Sequence, residues 1–284
     1  MIAITGATGQ LGRLVIAELL KRTSAAGLVA IVRDPAKAGD FAEQGIALRQ
    51  ADYGSRPALE AAFAGVEKVL LISSNELGSR AQQHANGIEA AKSAGVKFLV
   101  YTSVLHGDRS SLGLAKEHLE TEKILAASGV PFAILRNGWY TENYTASVPA
   151  ALAHGVLAGS AGKGRISSAA RRDYAEAAAV VLTGEVDAGR IYELAGDESY
   201  TLADLAAEIS RQSGKTIPYQ DLPEAEYADL LEKAGLPRIF AELLASSDKS
   251  ASEGALFDES RELSKLIGRP TTSMAESVKE ALAG

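Results

Sequence analysis

With 284 residues, 46% of them hydrophobic and 23% charged, the chain suffices for one large domain, or a domain plus a smaller lobe, around an ordinary buried core. The absence of cysteine excludes disulfides, thiol catalysis and thiolate-ligated zinc or iron–sulfur centres. A net charge of −7 argues against a broad nucleic-acid or anionic-membrane surface, and no apolar run approaches the roughly 20 residues of a bilayer span.

The N-terminal residues lack the basic and long apolar regions of a signal peptide, so a cytoplasmic location is expected. In chain order, "IAIT" (2–5), "LVAIVR" (28–33), "IALRQAD" (46–52), "KVLLIS" (68–73), "KFLVYTS" (97–103) and "FAILRN" (132–137) read as short strands buried on both faces. Residues 10–22, 35–44, 56–64, 80–94 and 113–128 between them have helical length and composition. This alternation predicts an α/β fold with a doubly wound parallel sheet, Rossmann-like, over residues 1–137. Beyond residue 138 the rhythm changes. Helices are expected at 143–154, 171–183, 201–213, 223–234, 258–267 and 273–282, with strands at "RISS" and "RIYEL". Residues 138–284 therefore read as a smaller, mainly helical C-terminal lobe that closes over the sheet edge, with late segments able to return to the main sheet. The small, polar stretch "LLASSDKSASEGALF" (243–257) reads as a mobile flap.

Gly6, Gly9 and Gly12 follow the first strand and open the first helix in a G-x-x-G-x-x-G spacing, a relative of the dinucleotide fingerprint. The first glycine allows the tight turn, the second lets pyrophosphate approach, and the third lets the helix pack closely on the strands. Ala7, Thr8, Gln10 and Leu11 complete this cradle, and the helix N-terminus offers free N–H groups to phosphate. Arg33 ends the second strand, where an acidic residue would bind both ribose hydroxyls; an arginine pairs instead with a 2′-phosphate. Lys37 adds a second positive charge, while the adjacent Asp34 leaves NAD open. NADPH is the expected cofactor. Asp52 closes the third strand and Ser73, Ser74 and Asn75 the fourth, where a cofactor crosses the strand ends. Thr102, at the end of the fifth strand, and Asn137, at the end of the sixth, complete the expected cofactor set.

Together "TGATGQLG", "IVRDPAKA", "DYG", "LLISS", "YTSVLH", "LRNGWYTENY" and "LIGRPTTSMAESVKEAL" resemble the NmrA-like atypical short-chain dehydrogenases over essentially the whole chain. The resemblance implies an NADP-binding Rossmann-like domain, a small C-terminal lobe and direct two-electron hydride transfer to a quinone in the cleft between them, without flavin. It also leaves open a non-catalytic NAD(P)-binding redox sensor that controls a partner protein, and reduction of other conjugated acceptors such as triarylmethane dyes.

The Tyr-x-x-x-Lys pair of typical short-chain dehydrogenases is missing. His118 and Glu122 stand at that spacing and read as an i,i+4 pair on the helix surface, with a proton relay through His118 as the alternative. A missing acid suits a quinone, because the reduced acceptor is far less basic than an alkoxide and takes its proton from water or a neutral donor. In "LRNGWYTENY", Tyr140 offers a flat surface and Asn143 an amide donor; these two are the expected catalytic residues, and Trp139 and Tyr144 are expected in the core. No metal site is expected from His84 or His154, and the oligomeric state is not legible.

Overall fold

The structure, a computed structural model, describes residues 1–283. The strands in chain order are β1 (Ile2–Ile4), β2 (Leu28–Val32), β3 (Ala47–Gln50), β4 (Lys68–Leu71), β5 (Phe98–Val104), β6 (Phe132–Asn137), β7 (Leu157–Gly159), β8 (Arg190–Leu194) and β9 (Tyr219–Asp221). The first helices are α1 (Gln10–Leu20), α2 (Gly39–Glu43), α3 (Arg56–Ala62), α4 (Arg80–Ser93) and α5 (Ala115–Ser128). There follow α6 (Glu142–Thr145), α7 (Val148–His154), α8 (Arg171–Thr183), α9 (Leu202–Ser213), α10 (Glu224–Lys233), α11 (Arg238–Ser252), α12 (Glu262–Ile267) and α13 (Met274–Ala283). None of these helices is long and apolar enough to cross a membrane.

The chain divides into two compact units: residues 1–108, 116–137 and 172–193 form the first, and residues 109–115, 138–171 and 194 onward the second. The first unit carries a seven-stranded sheet in the order β3-β2-β1-β4-β5-β6-β8, and β1 to β6 pair in parallel. This is the doubly wound order, with its reversal between β1 and β4, where a crevice opens at the strand C-termini. Register follows from apolar alternation. Ala3, Val69, Leu71, Leu99 and Tyr101 turn to one face, where they join Leu59, Phe63, Ile88 and Leu125 in a single core cluster. A fully buried side chain of this size is worth about 2–3 kcal/mol, so the cluster favours one register. Helix α1 buries Leu11, Val15, Ile16 and Leu19, one helical stripe of its surface.

In the second unit, β7 pairs with β9 in parallel, Leu157 opposite Tyr219. A capping box of Thr201 and Asp204 opens α9, and Gly214 at φ 73° closes it. Three expectations are corrected here. "RISS" forms no strand, only an isolated antiparallel bridge between Ile166 and Tyr200. The helix expected over 143–154 is two short helices, α6 and α7, because Ser147 breaks the run and Pro149 lies in the first turn of α7. The expected flap at 243–257 lies mostly in α11, which buries Ala241, Ala245, Ser247, Asp248, Ser250 and Ala251. The backbone at Gly164 lies directly against this helix, since a Cβ there would lie 2.2 Å from the Ala251 carbonyl oxygen.

Candidate functional site

The glycine turn builds an anion cradle at the end of β1. Gly6 sits at φ +59°, in left-handed backbone that glycine adopts without strain. A Cβ on Gly12 would lie 2.4 Å from the Gly6 carbonyl oxygen and 2.8 Å from the Ala7 Cα, so the third glycine lets the first turn of α1 lie on its own entry loop. Gly9 is the N-cap of α1 and no side chain caps the helix, which leaves its first amides to an incoming anion.

Around this cradle a cavity of about 600 Å³ opens within the first unit. Gly6, Thr8, Gly9, Gln10, Leu11 and Gly12 line its floor. Arg33 and Lys37 line it from the end of β2 and the turn beyond, Asp52 from the end of β3, and Ser73, Ser74 and Asn75 from the end of β4. The turn, the undirected amides and the two cations fit a dinucleotide carrying a phosphate on its ribose. Ala7 is buried beneath the turn, and Thr102 and Asn137 are buried at the ends of β5 and β6; none of the three lines the cavity. The Thr102 hydroxyl oxygen accepts the Ser73 N–H at 2.9 Å and so fixes the backbone of the cavity wall.

Among the further residues that line the cavity are Arg13, Tyr53, Glu76 and Gln83, none of them in the expected cofactor set. Arg13 joins the Asp40 carboxylate at 2.6 Å and the Lys37 carbonyl at 2.8 Å, fastening the segment that carries Lys37. The Tyr53 hydroxyl lies 2.6 Å from Thr5 Oγ1 and 2.5 Å from the Ile72 carbonyl, tying three strand ends together. Burial pushes this phenol well above its ordinary pKa, so it stays neutral. The only sequence signal for Tyr53 was its place in "DYG"; the others had none.

Behind the cavity lies a buried polar network. His84 Nε2 accepts the Ser74 N–H at 2.8 Å, which places the proton of the neutral ring on Nδ1, 3.0 Å from Thr121 Oγ1. The Tyr101 hydroxyl lies 2.7 Å from His118 Nδ1. Burial lowers both imidazoles, His84 to about 3 and His118 well below its ordinary value, with Arg80 adding to both shifts. Glu122 accepts from Ser103 Oγ at 2.6 Å and takes a forked pair from Arg136 at 3.0 and 2.7 Å. Arg136 also meets Asp108 and Glu193, and Glu122 foremost, with Glu193, raises its pKa against the effect of burial. The expected surface pair of His118 and Glu122 is therefore corrected. Both side chains are buried, and each has a separate partner. The i,i+4 spacing placed them on one helix face, but that face packs on β5.

Tyr140 and Asn143 belong to the second unit. The Arg171 guanidinium stacks over the Tyr140 ring at 4.6 Å, and the Asn143 N–H donates to the Tyr140 carbonyl at 3.0 Å. The Glu142 carboxylate accepts the Arg171 N–H at 2.9 and 3.0 Å, compensating the start of α8. Trp139 is half-buried, whereas Tyr144 is buried and donates to Asp248 Oδ1 at 3.0 Å. Burial lifts the Asp248 carboxyl to about 6 despite its bonds from Ser160 N–H and Tyr144. Among the described residues no group of three or more His, Asp or Glu side chains could hold a metal ion.

The model of the NmrA-like family matches residues 1–277. The chain belongs to the NmrA-like family. It is 61% identical over 278 residues to quinone oxidoreductase 2 of Escherichia coli K12, covering 98% of this chain and 97% of that protein. The crystal structure of an NADPH-dependent quinone oxidoreductase of Escherichia coli complexed with NADPH aligns at TM-score 0.97 and 60% identity, over 99% of this chain and 100% of that one. A Citrobacter triphenylmethane reductase complexed with NADP(H) aligns at TM-score 0.95 and 39% identity, over 99% and 100%.

Proposed function

We infer that the chain is an NADPH-dependent quinone oxidoreductase that carries out a two-electron reduction without flavin. The observation that carries this reading is 61% identity to a quinone oxidoreductase along almost the full length of both chains. The glycine cradle and the paired cations at its rim fit the cofactor named for the similar structure. Quinone, NADPH and one proton give hydroquinone and NADP⁺, the bound cofactor supplying the hydride.

The protein's part is to bind, orient and set protonation. The first amides of α1, with Gly6, Thr8, Gly9, Gln10 and Leu11, hold the pyrophosphate; Arg33 and Lys37 hold the 2′-phosphate. Asp52 and the 73–75 segment support the adenosine and ribose side, and the backbone of that segment is set by Thr102 and His84. Tyr140 and Asn143 supply the flat surface and the amide donor for the acceptor ring. No buried acid is required, since the reduced quinone takes its proton from water. His118, held neutral by burial, has no spare proton to deliver near neutral pH. The protein works in the cytoplasm on small molecules, with no nucleic-acid partner.

Two measurements test this. Purified protein, NADPH and a small benzoquinone should show protein-dependent loss of reduced nicotinamide absorbance. Tight NADPH binding with no such loss would overturn the enzymatic reading and leave the redox sensor. Arg33→Asp should weaken NADPH at least 30-fold and NADH little; equal losses would remove the 2′-phosphate role of Arg33.

A further inference from the structure

One carboxylate in the cofactor cavity has no place in that scheme. Glu76 lines the same rim as Arg33, and its Oε1 stands 3.5 Å from Arg33 Nη1. A contact of this length between exposed side chains would ordinarily carry little. Here, however, the acid is held in place. The Glu76 N–H donates to Ser74 Oγ at 3.1 Å, the Ser74 hydroxyl donates to Gln83 Oε1, and Gln83 Nε2 donates to Glu76 Oε2 at 2.5 Å. These three bonds close a ring, and both Ser74 and Gln83 are buried. Because Gln83 Oε1 takes the serine proton, its amide nitrogen must face Glu76. One carboxylate oxygen is thereby committed to Gln83, and the other is presented to Arg33. Arg80 Nε donates to the Ser74 carbonyl at 2.7 Å and holds the base of the turn.

We propose that Glu76 is a specificity-determining residue, a fixed acid that competes with the 2′-phosphate for Arg33 and so sets how far the cavity prefers NADPH over NADH. This inference rests on the reading of Arg33 as the 2′-phosphate partner. Arg33 is mostly exposed, whereas Glu76 is tied to a buried amide. An incoming phosphate must draw the guanidinium away from a carboxylate that stays at the rim and repels it. A ribose hydroxyl requires no such exchange and meets no like charge. Glu76 therefore weakens the phosphorylated cofactor selectively, which also speeds release of NADP⁺ after turnover.

The test is calorimetric titration of the full chain with NADP⁺ and NAD⁺, comparing wild type with Glu76→Gln. The amide keeps an acceptor for Gln83 and removes the charge. NADP⁺ should tighten about three- to tenfold at low salt, with NAD⁺ unchanged within about twofold, and the gain should shrink at 0.5 M salt. NAD⁺ affinity also reports that the cavity is intact. Equal changes for both cofactors, no change for either, or weaker NADP⁺ would overturn the proposal. Arg33→Ala separates the two ideas. If it leaves the NADP⁺/NAD⁺ ratio untouched, the Arg33 reading fails. If it collapses the ratio while Glu76→Gln moves nothing, only the role of Glu76 fails.

Discussion

Each unit buries a carboxylate, and the two are compensated in opposite ways. In the first unit, Glu122 takes a forked ion pair from Arg136 and a hydroxyl bond from Ser103. In the second, Asp248 receives only neutral donors, the Tyr144 hydroxyl and the Ser160 N–H, and its carboxyl rises to about 6. The buried titrating groups of the two networks also carry opposite pH liabilities. His84 and His118 are held neutral in the fold, so the unfolded chain binds their protons first, and their contribution is lost as pH falls below about 6.5 toward the folded value of about 3 for His84. Asp248 keeps its proton longer in the fold than out of it, so its contribution is present in acid and lost as pH rises from about 4 to about 6. Burial acts alike on both groups by disfavouring charge. The sign of the pH dependence comes from whether the neutral form is the acid or the base.

The ion pair is where the comparison breaks most readily. Arg136→Met should cost about 3–5 kcal/mol in urea unfolding at pH 7, because Glu122 is left charged and buried without a cation. Adding Glu122→Gln should recover more than half of the loss. A single-variant cost below about 1 kcal/mol would mean that Asp108, Glu193 and solvent, rather than Glu122, define the Arg136 site.

Asp248→Asn sharpens the contrast in the other unit. A carboxyl at about 6 rather than 3.8 corresponds to about 3 kcal/mol across that interval, in the direction of greater stability in acid. In the wild type this opposes the histidine losses between pH 4 and 6. The variant should therefore show a steeper fall in its urea midpoint toward pH 4 than the wild type. Parallel profiles would place the proton elsewhere.

What could be read in the sequence follows the same division. In the first unit, continuous apolar strands alternate with helices, and glycines stand at a strand-to-helix turn; each is a local pattern with one good structural solution. Arg33 was legible because its place is set by the end of β2. Glu76 and Gln83 were not, since their ring closes through Ser74 between a loop and the second turn of α4, a meeting that no spacing announces. Helix α11 was misread as a flap because Ser247, Asp248 and Ser250 look like loop residues, yet all three are buried on the helix, where Asp248 meets Tyr144 and the Ser160 N–H. His118 and Glu122 show the same limit from the other side. Helical spacing put them on one face, and only the sheet shows that the face is covered.

The smallest effect is expected at His118, and it bears on the chemistry. His118→Gln offers Tyr101 an amide oxygen in place of Nδ1, so the buried bond survives while the titrating ring is lost. If burial holds His118 neutral, hardly any imidazolium exists at pH 7, and the ring is no proton source for the reduced quinone. The variant should keep kcat for benzoquinone within about threefold and show an unchanged pH profile between pH 6 and 8. Its unfolding should lose part of the acid sensitivity assigned to the first unit. A fall of a hundredfold or more in kcat with an altered pH profile would make His118 the proton donor, and the first unit's buried imidazoles would then serve catalysis rather than the shape of the cavity wall.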